Sequence, residues 1–471
     1  MVKITISRPR LAMSLSPLQV LPEDYSLLTD LYQLTMSACY VGEGLDQRRA
    51  SFELFTRRLP PNFGYLIAMG LTQAIEYLEA FTFSDRHLEQ LQATGIFAHA
   101  PAAFWETLRH AKFTGDVWAV PEGTAVFANE PLLRIEAPLW QAQVVETYLL
   151  NTLNYQTLIA TRAARLRDVA GPEAKLLEFG TRRAFSPQGA LWAARAAIAG
   201  GLDSTSNVLA ALQLGQKPTG TMAHALVMAI AALEGSETDA FEAFHRYFPG
   251  APLLIDTFNT VAAAQHLANQ RQQGQAALAG VRLDSGDIAG LSQQVRELLP
   301  DIPIFASGDI DEYEIVRLKQ SGAVIDGYGL GTRLVTGSPV NGVYKLVEID
   351  GIPVMKESSS KVTYPGRKQI FRQYAGDRAT HDFLALTTES PPPGAQPLLQ
   401  PVMQQGQLIT PLEDLPAIAQ RTAQSVASLS PAVRQVQDPG PYTVETTPAL
   451  AQLTQATRHQ TKSTVPSGGQ S

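Results

Sequence analysis

One cysteine, Cys39, stands in the 471 residues. A single thiol excludes an intramolecular disulfide, a thiolate zinc site within one chain and a redox pair, and it points to a reducing, cytoplasmic setting. Long apolar runs are equally scarce. No stretch of about 18 consecutive apolar residues occurs, so no membrane partner is expected. Residues 1–21 carry Lys3, Arg8 and Arg10 without the apolar stretch of a signal peptide and read as a loose extension. Basic excess is missing as well: 37 Lys and Arg face 44 Asp and Glu, a net charge of −7. That excludes the broad basic face of a nucleic-acid binder and leaves room for local anion sites. HExxH, paired CxxC and GxSxG are absent, which removes the usual zinc protease, zinc ribbon and serine hydrolase readings.

What is present suits a chain of two or three packed domains, with 45% apolar residues available for their cores. Apolar spacing of three and four predicts a helix over Leu27 to Val41 and a long one over Leu139 to Val169. Between them lie β-like runs, SFELFTRRL, GYLIAM, FTGDVWAV and LLRIEAP. From Lys175 a different rhythm begins, in which short buried-strand runs end in polar or glycine residues and lead into helices. KLLEFG, PLLID, GVRLDSGD, IPIFASGD and AVIDGYGLG are its strands, and Ser186-Pro187 reads as the cap and first position of one helix. An SGD tripeptide echoes at Ser285 to Asp287 and Ser307 to Asp309. The pattern fits either a parallel barrel or an open doubly wound sheet, both of which bind ligands at the carboxyl ends of their strands. β-like texture returns after Val343. The boundaries expected are a flexible extension (1–23), a mixed α/β domain (24–138), an α/β barrel (139–340), a segment packing back on the first domain (341–430) and a largely disordered tail (431–471).

Chemistry gathers where the strands end. Arg182 and Arg183 before a capped helix suit phosphate or carboxylate, against the ordinary alternative of exposed surface arginines. Asp284 suits ribose hydroxyls or magnesium, whereas Asp287 serves the site or merely caps the next helix. His224 at a helix mouth is either a nucleophile and acid–base or a structural histidine. Gly329 and Gly331 permit close backbone approach to a phosphate, and their loop is neither GxGxxG nor GxxxxGK(S/T).

Taken together and in order, DLYQLTM, FTRRLPPNFGYLIAMGL, EFGTRRA, GGLDSTSNVLA, GTMAH, LIDT, VRLDSGD, SGDIDE, GLGTRLVT and VYKLVE resemble the nicotinate phosphoribosyltransferase family from about Tyr25 to Arg372. The resemblance implies an irregular parallel α/β barrel with a mixed α/β N-terminal domain completed by C-terminal strands. It further implies a homodimer with a shared active site, nicotinate and phosphoribosyl pyrophosphate as substrates, Mg2+, and ATP as co-substrate. Carried over, Tyr32 and Phe179 sandwich the pyridine ring, with Asp203 near it. Arg182 and Arg282 bind carboxylate and phosphate groups, and Asp284 lies near the ribose. Thr221 and His224 match the segment whose histidine ATP phosphorylates. Gly308, Gly329, Gly331, Thr332 and Ser358 match positions around the ribose phosphate, and no residue is assigned as a metal ligand. The family often has serine after that histidine; here Ala225 follows. Nicotinamide or quinolinate as acceptor, a barrel aldolase or isomerase, and a non-catalytic metabolite-binding regulator are the rival readings.

Overall fold

Two larger sheets organise the chain, and one long helix joins them. The computed structural model describes residue 18 and residues 20–274, 277–358 and 361–464. Its first sheet is antiparallel and runs in the order Ile352–Pro353, Gly342–Ile349, Arg49–Thr56, Pro131–Pro138, Asp116–Ala119, Gln400–Gln404, Gln407–Leu408. Every residue of Arg49–Thr56 after the first is buried, which suits an interior strand covered on both faces. It pairs with Pro131–Pro138 on one side and, across most of the chain, with Gly342–Ile349 on the other. Charges in and against this sheet are matched: Glu53 meets Lys368 of the neighbouring four-stranded sheet at 2.8 Å, and Arg134 meets Glu136 at 2.8 Å.

The helix predicted over Leu139 to Val169 is divided at Val145 into Leu139–Val144 and α1 (Glu146–Ala170). Thr161 and Thr157 on α1 accept from Ile67 N (2.8 Å) and Met69 N (3.3 Å) of the first domain. Further along the same helix, Arg165 holds Glu312 of the second domain at 2.9 Å in a buried pair. Hydroxyls and a guanidinium thus tie α1 to both halves, because a helix buried all round must satisfy its polar side chains internally.

The second sheet is parallel. Its strands are β1 (Lys175–Glu178), β2 (Ser204–Thr205), β3 (Leu253–Leu254), β4 (Val281–Leu283), β5 (Ile304–Ala306) and β6 (Gly327–Leu330), in the order β2-β1-β6-β5-β4-β3. The end strands β2 and β3 share no ladder with each other. Six helices that follow in this half start on a side chain that accepts from the backbone three residues on: Ser186, Asn207, Ser236, Asn259, Asp287 and Asp311. All but Ser236, which starts a second helix directly after His224–Glu234, fix where a strand hands over to its helix, which is the rim where the chemistry sits.

Residues 431–464 are folded, contrary to the expectation of a disordered tail. Thr443–Thr446 pairs in parallel with Arg378–Leu386, and the helix Pro448–Thr464 follows with Leu450 fully buried. Tyr442 stacks on Phe127 at 3.7 Å and donates to Asp382 at 2.9 Å. A few strong anchors hold this polar stretch, and its diluted apolar pattern conceals them. Residues 1–17, most of the expected extension, lie outside the described residues.

Candidate active site

Alternation along a strand sends neighbouring side chains to opposite faces. In β4, Val281 and Leu283 are buried against the helices, so Arg282 between them turns into a cavity of about 300 Å³. Leu177 and Phe179 from the β1 segment, Phe305 from β5, Gly329 from β6 and Thr221 line the same space. The Arg282 guanidinium lies 5.9 Å from the centre of the Phe179 ring and donates to Met222 O at 2.7 Å. Glycine is required at Gly329: a β-carbon there would stand 2.6 Å from the Phe179 ring. Burial pushes the Arg282 guanidinium below its ordinary value, the charges of Asp284 and Asp256 oppose that shift, and Arg182 adds to it. Arg182, Arg282, Asp284 and Asp256 therefore share one electrostatic neighbourhood.

Above the cavity the strand ends converge on His224, the first residue of the helix His224–Glu234. Its Nδ1 lies 3.0 Å from Thr257 Oγ1, while Nε2 lies 3.8 Å from Asp256 Oδ1 and 4.0 Å from Asp284 Oδ2. Asp256 is positioned from its other oxygen, which accepts from Asp284 N and Ser285 Oγ, each at 2.8 Å. Ser307 Oγ donates to Asp284 Oδ1. Gly308 takes a left-handed φ of +93°, and a β-carbon there would press on Asp284 O. Gly331 precedes the short helix Thr332–Val335, whose Arg333 and Thr336 carbonyls accept from Arg162. Arg182 and Arg183 lie in an exposed loop in which Phe185 is 79% exposed. Asp287 caps its helix, accepting from Gly290 N at 3.2 Å.

Three further expected residues differ in their placement. Asp203 lines the far end of the cavity, and its Oδ2 is occupied by Arg167 (2.6 Å) and Leu176 N (2.7 Å), with Lys175 3.7 Å from Oδ1. An aspartate one residue before β2 sits at the start of the strand, opposite the rim. Tyr32, on the helix Leu31–Gly42, is half exposed and is not among the cavity's lining residues; burial and the charges of Glu146 and Asp30 raise its hydroxyl above the usual value. Ser358 belongs to the short strand Glu357–Ser358, and its side chain lies outside the described residues. Sequence reasoning gave no role to Asp256, Thr257 or Ser307. For Asp256 and Ser307 the signal is the first polar position after the apolar runs LLI and IFA, the same signal that marks Asp284, and Thr257 directly follows Asp256.

Among the described residues, no group of three or more His, Cys, Asp or Glu is arranged to hold a metal ion, and no helix is long and apolar enough to cross a membrane. Family profiles described as nicotinate phosphoribosyltransferase N-terminal domain, family and C-terminal domain match residues 27–154, 174–306 and 367–454. The chain is 39% identical over 427 residues to nicotinate phosphoribosyltransferase pncB2 of Mycobacterium tuberculosis, covering 88% of this chain and 90% of that protein. It is 42% identical over 386 residues to the nicotinate phosphoribosyltransferase of Bacillus subtilis, covering 78% and 77%. The crystal structure of human nicotinic acid phosphoribosyltransferase superimposes with a TM-score of 0.79 at 32% identity, covering 91% of this chain and 99% of that one.

Proposed function

We propose a residue-by-residue mechanism from one premise: this chain belongs to the nicotinate phosphoribosyltransferase family. It is an enzyme of NAD biosynthesis, with nicotinate and phosphoribosyl pyrophosphate as its substrates. In that reaction the pyridine nitrogen's lone pair bonds to the anomeric carbon of the ribose. The bond from that carbon to pyrophosphate breaks, and pyrophosphate leaves with the electron pair.

The flat acceptor ring suits the face of Phe179, and its carboxylate suits the guanidinium groups of Arg282 and Arg182. Asp284 faces the ribose, where positive charge develops as pyrophosphate departs, and a fixed carboxylate there favours the transition state over the ground state. Gly308, Gly329, Gly331 and Thr332 offer backbone and hydroxyl donors to the phosphates, with Thr221 beside Arg282, and Ser358 of the hairpin formed by Glu357–Ser358 and Lys361–Val362 is a further candidate. ATP, as co-substrate, would phosphorylate His224: the ring nitrogen away from the carboxylates forms the N–P bond while the bond to the ADP oxygen breaks and ADP leaves. Asp256 and Asp284 hold the other nitrogen's proton. The described donors do not make a protein cage for a resident metal, so Mg2+ would arrive on the substrate's phosphates.

We read the six parallel strands as an irregular barrel, because one cavity is lined by Leu177, Ser204, Pro252, Arg282, Phe305 and Gly329, one from or beside each strand. Tyr32 reaches no such cavity within one chain, which supports a homodimer in which it completes the partner's site. One cysteine suits a cytoplasmic location.

The observation that carries the assignment is the meeting of Arg282, Asp284, Asp256 and Arg182 in one electrostatic neighbourhood beside Phe179. The test offers purified protein, phosphoribosyl pyrophosphate, Mg2+ and ATP with nicotinate, nicotinamide or quinolinate in turn. Nicotinate should exceed nicotinamide in kcat/KM by about a hundredfold, the cost of leaving a guanidinium without its anion, roughly 3 kcal/mol. His224→Ala should lose stimulation by ATP. Equal use of nicotinamide, or an unchanged ATP response, contradicts the assignment.

A further inference from the structure

The cavity beside Phe179 runs the length of the parallel strands. In β1 it is lined by Lys175, the first residue, by Leu177, and by Phe179, which follows the last, while Leu176 and Glu178 are buried on the opposite face. A rise of about 3.3 Å per residue puts Lys175 about 13 Å from Phe179, a depth well beyond one pyridine ring. Asp203 and Pro252, each directly before its strand, line the same far end. Interiors enclosed by parallel strands are ordinarily filled by branched side chains. Here glycines draw both aromatic rings to the wall: a β-carbon at Gly329 would stand 2.6 Å from the Phe179 ring, and one at Gly327 or Gly280 would stand 2.7 or 2.9 Å from the Phe305 ring. Opposite Leu177, β2 adds only Ser204, and Leu177, Arg282 and Phe305 stay half-buried. At the far end Lys175 Nζ stands 3.7 Å from Asp203 Oδ1, and Arg167 holds Asp203 Oδ2 at 2.6 Å. Two cations on one carboxylate leave positive charge at this mouth, where the Lys175 side chain is 65% exposed.

We propose that this far end is a second subsite of the acceptor pocket, and that the enzyme also takes nicotinates extended by a chain on the ring carbon opposite the nitrogen, best when the chain ends in a carboxylate. The inference rests on the reading of Phe179 and Arg282 as the acceptor's site. With the ring on Phe179 and its nitrogen toward the ribose at Asp284, the opposite ring carbon points away from the rim and down the strands. A chain there passes the apolar Leu177 and Phe305 and ends among Lys175, Ser204 and Thr219. Apolar walls favour its methylenes, and the excess positive charge favours its end group. The transfer is unchanged: the ring nitrogen bonds to the anomeric carbon, and pyrophosphate leaves with the electron pair.

The test gives the full-length protein phosphoribosyl pyrophosphate, Mg2+ and ATP with nicotinate, with nicotinate bearing a butyl chain on that carbon, or with the same chain ended by a carboxylate. Both extended acceptors should be converted to their mononucleotides with kcat/KM within about tenfold of nicotinate, whereas a closed pocket discriminates against even one extra methylene by about 10–200-fold. Lys175→Ala, on an exposed side chain, should lower kcat/KM about threefold for the carboxylate-ended chain alone, the modest factor of an exposed ion pair. Ser204→Leu narrows the space: nicotinate should be used as before while both extended acceptors fall at least tenfold, and melting curves establish that the variants fold. A loss beyond about tenfold for both extended acceptors in the parent, with nicotinate converted, overturns the subsite alone. Extended acceptors used equally by the parent and a folded Ser204→Leu variant take another path, which overturns it too. An equal effect of Lys175→Ala on both chains overturns the part given to the charged mouth. A parent that leaves nicotinate unconverted overturns the reading of the acceptor site and this inference with it.

Discussion

Replacing Asp256 with asparagine tests the orientation of His224 at one atom. The amide oxygen of the new side chain can stay toward Asp284 N and Ser285 Oγ, which hold Asp256 Oδ2 at 2.8 Å each, so the loop has no reason to move. The NH2 group then replaces Oδ1, and a donor faces His224 Nε2 from 3.8 Å where an acceptor stood. Two unit charges at that distance interact by about 4 kcal/mol at an effective dielectric of about 20. His224 is 36% exposed, so water screens the pair and roughly 1.5 kcal/mol is the appropriate expectation, about tenfold in rate. Transfer of labelled γ-phosphate to the protein, measured at pH 7.5 in a single turnover, should slow by about that factor. Melting should change by no more than a few degrees. Phosphorylation at the parent's rate in a folded Asp256→Asn variant would refute the argument that this carboxylate holds the imidazole.

Gly329→Ala drives a methyl group into the Phe179 ring, which stands 2.6 Å from that position; the fold should persist while KM for nicotinate rises at least tenfold, by steady-state kinetics. Glu130 tests the C-terminal anchor. It is fully buried beside Asp382, and burial followed by the Asp382 charge holds its carboxyl well above its ordinary value of 4.5. The folded protein therefore keeps this proton at pH values where the unfolded chain has lost it, and stability falls as pH rises above about 4.5 toward the folded value. Glu130→Gln should raise the melting temperature more at pH 8 than at pH 5, and an equal shift at both would contradict the assignment.

Much of the second domain was legible because its signals are local. Ser186-Pro187 announced a helix start, and the apolar runs ending in LD, SGD and GLG marked the strands whose ends carry Asp284, Gly308 and Gly331. Alternation already implied that Arg282 faces away from Val281 and Leu283. Distance in space was not legible. Asp256 became a neighbour of His224 only once two units of the sheet lay side by side. Asp203 lines the same cavity as Phe179, and its tie to Arg167 was not legible because that partner stands 36 residues earlier in the chain. The segment 431–464 misled for a different reason: Leu450 and Tyr442 anchor a stretch whose other residues are mostly polar. Sparse anchors escape a reading that weighs average apolarity.

The most direct test of the whole account is a crystal structure of the protein with nicotinate mononucleotide. The pyridine ring should lie on the face of Phe179, its carboxylate bonded to Arg282 or Arg182, and the ribose beside Asp284. A nucleotide bound elsewhere, or a ring in the cavity with its carboxylate turned away from both guanidinium groups, would contradict it.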